Sequence, residues 1–192
     1  MEKRYLDAAE LLRDSWELAR RVHASGWYPT HLAGLWRGGA PVAVAVHEWL
    51  AFHGVVADHC AIRTRSYTAI GEQAATVAVD GLEPLVAALR PESRLLLVDD
   101  IFDSGRSLMA VTDALRERCG EHMPREVRTA TVYYHPGHRV GPHGPTYHVH
   151  ETDCWLVFPH ELLGLDRAEI VRYKPEVPLG PLRSSRELQE KP

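Results

Sequence analysis

Apolar residues recur along the chain at two spacings, one typical of amphipathic helices and the other of buried strands. From Tyr5 to Ala24 they fall every three or four positions, which predicts a helix with a buried stripe at Leu6, Ala9, Leu12, Trp16, Ala19 and Val22. His31–Trp36 and Arg94–Val98 are short apolar runs that predict strands. The second run has no polar face at all, as a central parallel strand requires.

The remaining segments continue this alternation. Further strands are predicted at Val55–Ile62 and Val127–Tyr134, and further helices at Ala40–Phe52, Leu82–Leu89 and Ser107–Cys119. The polar stretch Arg63–Asp80 predicts a mobile loop or hairpin. Strands that alternate with helices indicate an α/β fold with a mostly parallel, twisted sheet flanked by helices.

Composition narrows the classes of function that such a fold could serve. The 192 residues are 45% hydrophobic and 25% charged, a balance typical of a folded globular chain. We recognise neither a membrane-spanning stretch nor a secretory signal, so we expect a cytoplasmic protein without membrane contact. Three widely spaced cysteines fit a reducing compartment. The net charge of −4 argues against general binding to nucleic acid.

Three aspartates follow the predicted strand Arg94–Val98 closely. Asp99 and Asp100 come directly after the apolar run, and Asp103 opens the turn Asp103–Ser107 that leads into the next predicted helix. Ligands of open α/β sheets bind beyond the carboxyl ends of the strands. The turn can direct backbone N–H groups and two hydroxyls at an anion, and the paired carboxylates can bind a diol or Mg²⁺. The segment therefore predicts a phosphate cradle beside a sugar and metal site.

The segment from Leu95 to Ser107 resembles the PRPP-binding signature of the type I phosphoribosyltransferases. The resemblance implies that Asp99 and Asp100 hold the ribose hydroxyls of PRPP and that Asp100 is also a ligand of Mg²⁺. It implies that the 5′-phosphate binds to the turn formed by Asp103, Ser104, Gly105, Arg106 and Ser107. Asp103 would also be the general acid or base beside the purine.

Two further segments match the order of motifs in that family. Trp36-Arg37-Gly38-Gly39 resembles the pyrophosphate-binding loop, whose first peptide is often cis. Glycines allow the backbone to approach phosphate oxygens closely, and Arg37 supplies positive charge. Ser66-Tyr67 resembles the dipeptide of a flexible loop that closes over the reaction centre. Such closure would exclude water from the transition state.

The C-terminal part resembles the base-binding segments of the 6-oxopurine phosphoribosyltransferases, and the xanthine–guanine branch is closest in pattern. The two segments concerned are 129–136 and 155–161. The resemblance implies that Trp155 stacks on the purine, that the backbone of Leu156 reads its edge, and that Glu161 lies near a second Mg²⁺. The alternative for Trp155 is a core or hood tryptophan without a base.

One base-binding position departs from the family pattern. The residue after Tyr133-Tyr134 is usually a lysine that donates to the purine 6-oxygen, but this chain has His135 there and no lysine between Arg4 and Tyr173. The region also holds His138, His143, His148, His150 and His160, with Cys154 and Glu161 nearby, and a transition metal would accept such ligands. Because His135 and His138 lie in a glycine- and proline-rich stretch, we favour a solvated hood loop over a zinc site.

These matches extend from Thr30 to Glu161 and divide the chain into four regions. They are an N-terminal helix at 1–29, a phosphoribosyltransferase core at 30–135, a hood with the base-binding segment at 136–174, and a proline-rich tail at 175–192. The resemblance implies Mg²⁺-dependent transfer of the phosphoribosyl group of PRPP to xanthine, guanine or hypoxanthine, with release of pyrophosphate, as in purine salvage. Relatives are commonly dimers or tetramers, so a homo-oligomer is expected.

Two alternatives stay open. One is a phosphoribosyltransferase for a non-purine base, which the missing lysine allows. The other is a regulator on the same fold that senses PRPP or a nucleotide and contacts nucleic acid through a basic face. Candidates for that face are Arg63, Arg65, Arg125, Arg128 and Arg139.

His135 predicts that binding of the base is weaker or more pH-dependent than in relatives, or that the base is not the usual one. A neutral imidazole donates one hydrogen bond and an imidazolium donates with charge, whereas a lysine keeps its charge to much higher pH. We expect base affinity, measured by equilibrium titration between about pH 6 and 8.5, to vary in the wild type and to lose that dependence in His135→Ala. A flat titration together with a harmless His135→Ala substitution would contradict the prediction.

Overall fold

Six strands form the central sheet of the computed structural model, which describes residues 3–67 and 76–180. In chain order the elements are β1 (Lys3–Tyr5), α1 (Ala8–Ala24), β2 (His31–Trp36), α2 (Gly39–Phe52), β3 (Asp58–Tyr67), β4 (Thr76–Asp80), α3 (Glu83–Ala88), β5 (Arg94–Phe102), α4 (Arg106–Cys119), β6 (Glu126–Tyr134), β7 (Tyr147–Glu151), β8 (Trp155–Val157) and α5 (Arg167–Tyr173). Short 3₁₀ helices lie at Gly120–His122 and Pro136–His138. The chain separates into two compact units, Met1–Phe158 and Pro159–Pro192, and α5 belongs to the second.

The order of the strands opens a crevice at one edge of the sheet. The order is β4-β3-β2-β5-β6-β7, and every neighbouring pair is parallel except β3 and β4, which form an antiparallel hairpin. The chain moves outward from β2 in one direction and from β5 in the other. The helices that follow these two adjacent strands, α2 and α4, pack on opposite faces of the sheet. A crevice therefore lies beyond the carboxyl ends of β2 and β5, where sheets of this kind bind ligands.

Two apolar cores cover the two faces because side chains alternate along each strand. Leu96 and Val98 of β5 pack with α1 and α2, whereas Leu95 and Leu97 pack with α3 and α4. All four side chains are fully buried. The predicted α/β fold, with a mostly parallel sheet flanked by helices, is confirmed. Among the described residues, no helix combines the length and the apolar character needed to cross a bilayer.

The buried face of α1 differs from the predicted stripe. Leu12 and Trp16, which we expected to be buried, are each 42% exposed, and the helix buries Leu11 and Leu18 instead, together with Ser15, Ala19 and Val22. The prediction was right for Leu6, Ala19 and Val22 and wrong for Ala9, Leu12 and Trp16. The helix carries two overlapping apolar stripes with the same spacing, and periodicity alone does not choose between them. The predicted start at Tyr5 was also wrong, because Tyr5 belongs to β1 and Asp7 caps the helix by accepting a hydrogen bond from the N–H of Glu10 at 2.6 Å.

Strand β5 is longer than predicted. It runs to Phe102, so Asp99 and Asp100 lie inside the strand and not after it. Asp99 is in register with Thr131 of β6, and Ile101 with Tyr133. The backbone hydrogen bonds of β5 continue past the apolar run because a carboxylate side chain does not interrupt main-chain pairing at the carboxyl end of a strand. Both carboxylates are consequently held by a rigid strand.

Several short elements were not predicted. β7, β8 and α5 lie in segments that we did not assign, and β8 pairs in parallel with β1, with Arg4 opposite Leu156. The expected hood segment therefore shares a two-stranded sheet with the N-terminal residues. Strand β3 begins at Asp58 instead of Val55, and the hairpin alternative for Arg63–Asp80 is confirmed by the pairing of β3 with β4.

The corrected face of α1 gives a stability prediction. We expect Leu18→Ala to lower the free energy of unfolding by about 2–5 kcal/mol, because it removes a fully buried side chain from the core. Leu12→Ala, the same change on the exposed side of the helix, should alter it by less than about 1 kcal/mol. Urea denaturation of both variants measures the difference. Equal losses would show that Leu12 is also buried, in the folded chain or in an assembly.

Candidate active site

The loop after β2 lies directly against the acidic end of β5. The peptide between Trp36 and Arg37 is cis, as the resemblance implies. A Cβ atom on Gly38 would lie 1.9 Å from Oδ2 of Asp100, and one on Gly39 would lie 2.5 Å from the carbonyl oxygen of Val98. A side chain at Gly38 would therefore displace the Asp100 carboxylate, and one at Gly39 would displace the backbone of β5. The structure thus brings together two motifs that are far apart in the sequence.

Asp99 and Asp100 form an adjacent pair of carboxyl groups beneath that loop, with Asp100 buried and Asp99 partly buried. The carboxylate of Asp99 accepts hydrogen bonds from the N–H groups of Asp100, at 3.0 Å, and of Gly39. Oδ1 of Asp100 accepts one from the N–H of Ile101 at 2.8 Å. Burial and, to a smaller extent, the charge of Asp100 raise the pKa of Asp99 well above its usual range. Mg²⁺ prefers oxygen ligands, and a bound cation would relieve the repulsion between the two carboxylates. The pair therefore fits the implied metal.

The turn after β5 ends at the N-terminus of α4. Gly105 has φ +81°, and a Cβ atom there would lie 2.3 Å from the ring of Phe102. This glycine lets the chain reverse tightly, so that α4 begins at Arg106, close to the strand end. The first N–H groups of a helix have no partner within the helix, and the Oγ of Ser104 accepts a hydrogen bond from one of them, the N–H of Arg106, at 3.4 Å. Such a turn is suited to an anion.

Asp103 faces the loop that follows β6. Its Oδ1 lies 2.6 Å from Nδ1 of His138, and the ring of His138 stacks on that of His135 with centroids 3.5 Å apart and planes 7° from parallel. Two backbone hydrogen bonds tie the loop to the turn after β5: the N–H of His135 donates to Phe102 at 2.9 Å, and the N–H of Val140 to Ser104 at 3.0 Å. We did not predict the contact of His138 with Asp103. The only signal in the sequence is the spacing of two histidines after a strand.

His135 is buried and its ring is unsatisfied. The residue is 7% exposed, and neither ring nitrogen has a hydrogen-bond partner among the described residues. A buried polar atom without a partner costs about 1–3 kcal/mol, which a bound molecule can recover. Metal-ligating atoms of Asp103, His135 and His138 lie within 4.8 Å of one another. However, stacked parallel rings direct their in-plane lone pairs along parallel lines and not towards one ion, so this cluster suits an organic ligand better.

The other histidines of this segment have separate surroundings. His150 lies 3.0 Å from Asp14 of α1, and His148 lies 3.6 Å from Glu151 on its own strand. The thiol of Cys154 donates to the neighbouring Asp153 carboxylate. Each of these three side chains thus contacts a different residue. The expected solvated loop is wrong for His135, which is buried, and the preference against a zinc site stays a prediction.

The remaining predicted residues lie on other elements of the chain. The backbone of Ser66 and Tyr67 lies at the end of β3, paired with β4, and the segment 68–75 that follows lies outside the described residues. Trp155 is 59% exposed on β8 and Leu156 is buried, so the alternative of a core tryptophan is wrong for Trp155. Glu161 belongs to the second compact unit. The roles of these residues stay predictions.

Known proteins share this architecture. The model of the phosphoribosyl transferase domain family matches residues 1–162, so the similarity includes α1, which we had placed outside it. A purine phosphoribosyltransferase from Pyrococcus horikoshii OT3 is 25% identical over 87% of this chain and 99% of that chain, with a TM-score of 0.65. A hypothetical protein from Neisseria gonorrhoeae with bound ppGpp is 20% identical over 91% and 97%, with a TM-score of 0.70. The xanthine-guanine-hypoxanthine phosphoribosyltransferase of Helicobacter pylori is 21% identical over 82% and 92%, with a TM-score of 0.61. A search of curated proteins finds no match.

The contact at Gly38 predicts the effect of one added methyl group. We expect Gly38→Ala to displace the Asp100 carboxylate and to weaken binding of PRPP with Mg²⁺ about ten- to hundredfold, the loss expected for a hydrogen bond to a charged group. Gly180→Ala is the matched control, because a Cβ atom there meets nothing within 4 Å. Calorimetric titration measures both, and thermal unfolding checks that both are folded. Unchanged affinity in a folded Gly38→Ala variant would contradict the assignment of this loop.

Proposed function

The chain belongs to the phosphoribosyl transferase domain family and is a phosphoribosyltransferase, and we propose that it transfers the 5-phosphoribosyl group of PRPP to a 6-oxopurine with release of pyrophosphate. The base would be xanthine, guanine or hypoxanthine. The observation that carries the proposal is the close approach of Gly38 to Asp100. It supports the proposal because the loop expected to bind pyrophosphate and the strand end expected to bind ribose would have to hold the same PRPP molecule.

PRPP would lie along the crevice beyond β2 and β5. The backbone of 36–39 and the guanidinium of Arg37 would hold the pyrophosphate, and Asp99 and Asp100 the ribose hydroxyls. The 5′-phosphate would bind at 103–107, on the first turn of α4. Asp100 would hold Mg²⁺, and Glu161 a second ion, and the charge of the bound metal would stabilise the departing pyrophosphate.

The base would be held by residues of the C-terminal part. The ring of Trp155 would stack on the purine, a contact worth about 1–3 kcal/mol in nucleobase-binding proteins. The backbone of Leu156 would read the edge of the base, and His135 would bind its 6-substituent. The segment at Ser66 and Tyr67 would close over both substrates and exclude water.

The transfer itself needs a positioned nucleophile and a proton acceptor. A ring nitrogen of the base bonds to C1′ of the ribose as the bond from C1′ to the pyrophosphate oxygen breaks, and the electron pair leaves with the pyrophosphate. The imidazole ring of the base loses a proton, which Asp103 accepts. Because Oδ1 of Asp103 is engaged by His138, Oδ2 is the oxygen available for that proton.

A second candidate is a nucleotide-sensing protein on the same fold. It is favoured by the similarity to the Neisseria gonorrhoeae protein with bound ppGpp, because a nucleotide that carries a pyrophosphate could occupy the same loops. Three of the five arginines considered for a nucleic-acid contact have partners within the chain. Arg65 pairs with Asp80, Arg128 lies over the ring of Trp27, and Arg139 donates to Tyr134. Such contacts favour the transferase over a regulator that binds nucleic acid.

Pyrophosphate release tests the proposal. PRPP and Mg²⁺ are supplied with xanthine, guanine, hypoxanthine, adenine or uracil separately, and we expect turnover with at least one 6-oxopurine. Asp103→Asn should lower kcat about 10²–10⁴-fold, as loss of a general base does. Asp113→Asn, the same change at an exposed position of α4 that pairs with Arg116, should leave kcat unchanged.

Each other outcome is informative. Turnover with uracil alone would move the function to a non-purine base. PRPP binding without consumption of any base, together with binding of ppGpp, would favour the nucleotide-sensing candidate. Failure of PRPP to bind would show that the assignment of Asp99 to Ser107 is wrong.

A further inference from the structure

His135 offers a kind of hydrogen bond that a lysine at the same position does not. We propose that the enzyme accepts 6-aminopurines as well as 6-oxopurines, because the imidazole of His135 can either donate to the 6-substituent of the base or accept from it. This inference rests on the proposed function, in which His135 faces that substituent. It extends the substrate class from one type of purine to two.

The position of the His135 ring is fixed by its surroundings. The ring lies flat on that of His138, and its backbone N–H is bonded to Phe102 at 2.9 Å. The carbonyl of His135 accepts a hydrogen bond from the N–H of His138 at 3.2 Å, which closes the short turn between the stacked residues. The ring therefore has a defined plane before any base binds. Both of its nitrogens lie away from solvent and are unpartnered among the described residues.

The neutral imidazole carries one donor and one acceptor, and the two tautomers exchange these roles between the nitrogens. The oxygen of a 6-oxopurine needs a donor, and the amino group of a 6-aminopurine needs an acceptor. A change of tautomer serves either base without movement of the ring. A lysine ammonium has three donors and no acceptor, so it leaves a 6-amino group unpaired.

The charged side chains near His135 are bonded to other groups. No carboxylate among the described residues is hydrogen-bonded to its ring. The carboxylate of Asp103, on the turn after β5, is bonded to His138. The next basic side chain along the loop, Arg139, is directed to the hydroxyl of Tyr134.

Two matched pairs of bases test the inference. The kcat/KM values for hypoxanthine and adenine, and for guanine and 2,6-diaminopurine, are measured in the wild type, His135→Lys and His135→Gln. Glutamine is the matched control, because its amide keeps a donor and an acceptor. We expect both members of at least one pair to react in the wild type. The ratio of 6-amino to 6-oxo activity should fall about tenfold or more in His135→Lys and stay within about threefold in His135→Gln.

Comparing the ratio of 6-amino to 6-oxo activity between the three proteins isolates the effect of the substituent at position 6 of the base. Members of each pair also differ at N1, but whatever contacts N1 is the same in all three proteins. If His135→Lys does not fold, calorimetric titration of the wild type with IMP and AMP, the nucleotides of the first pair, still decides the matter. We expect their affinities to lie within about tenfold of each other, since one ring serves both.

The failures of the two proposals are distinguishable. Turnover of 6-oxopurines alone, with AMP bound far more weakly than IMP, would overturn the inference and leave the proposed function intact. An unchanged ratio in a folded His135→Lys variant would also overturn it, because position 135 would then not read the 6-substituent. If no purine reacts, the proposed function fails, and unequal binding of IMP and AMP would overturn the inference as well.

Discussion

The absence of a side chain at Gly38 is the constraint on which the rest of the site depends. The backbone there passes so close to the Asp100 carboxylate that a methyl group would overlap it, at 1.9 Å from Oδ2. This approach depends on the sheet, because Gly34 of β2 is in register with Val98 of β5 and the two chains therefore reach the crevice at the same level. Gly34 itself is packed tightly, since a Cβ atom on it would lie 2.6 Å from that of Ala43. Helix α2 thus lies close to β2, and its first turn meets the end of β5.

The two aspartates at this end of β5 also affect how the stability of the fold depends on pH. Asp99 and Asp100 are adjacent on a rigid strand, and burial together with the charge of Asp100 raises the pKa of Asp99. A carboxyl group whose pKa is higher in the folded state than in the unfolded state stabilises the fold at low pH. That contribution is lost as the pH rises above the unfolded value towards the folded one. Near neutral pH the pair therefore opposes folding, and a bound cation relieves that repulsion. The residues that lower the stability of the fold near neutral pH are therefore the ones that would bind the metal ion and the ribose.

Features that depend on local pattern were predictable from the sequence, whereas features that depend on distant partners were not. The apolar runs placed β2, the start of β5 and β6, and the aspartates and glycines indicated the phosphate and sugar site. Part of the buried face of α1 was missed because Leu11 and Leu12 begin two stripes of equal spacing, and only the packing against α2, β6 and β7 selects one. The pairing of β1 with β8 joins the two ends of the first unit through three residues each, too few to leave a periodic signal. The spacing of His135 and His138 after a strand did not indicate the contact of His138 with Asp103, since that contact exists only where two loops meet.

The replacement of a lysine by His135 changes more than one hydrogen bond of the base. A flat ring can stack on His138, and His138 in turn holds the carboxylate of Asp103 at 2.6 Å. A flexible ammonium chain offers no such plane, so His138 would lose the surface that orients it. His135, which is proposed to read the 6-substituent, is therefore coupled through His138 to Asp103, which is proposed to take the ring proton. Specificity for the base and the proton step would then be two properties of one short loop, which the backbone bonds of His135 and Val140 fasten to the turn that follows β5.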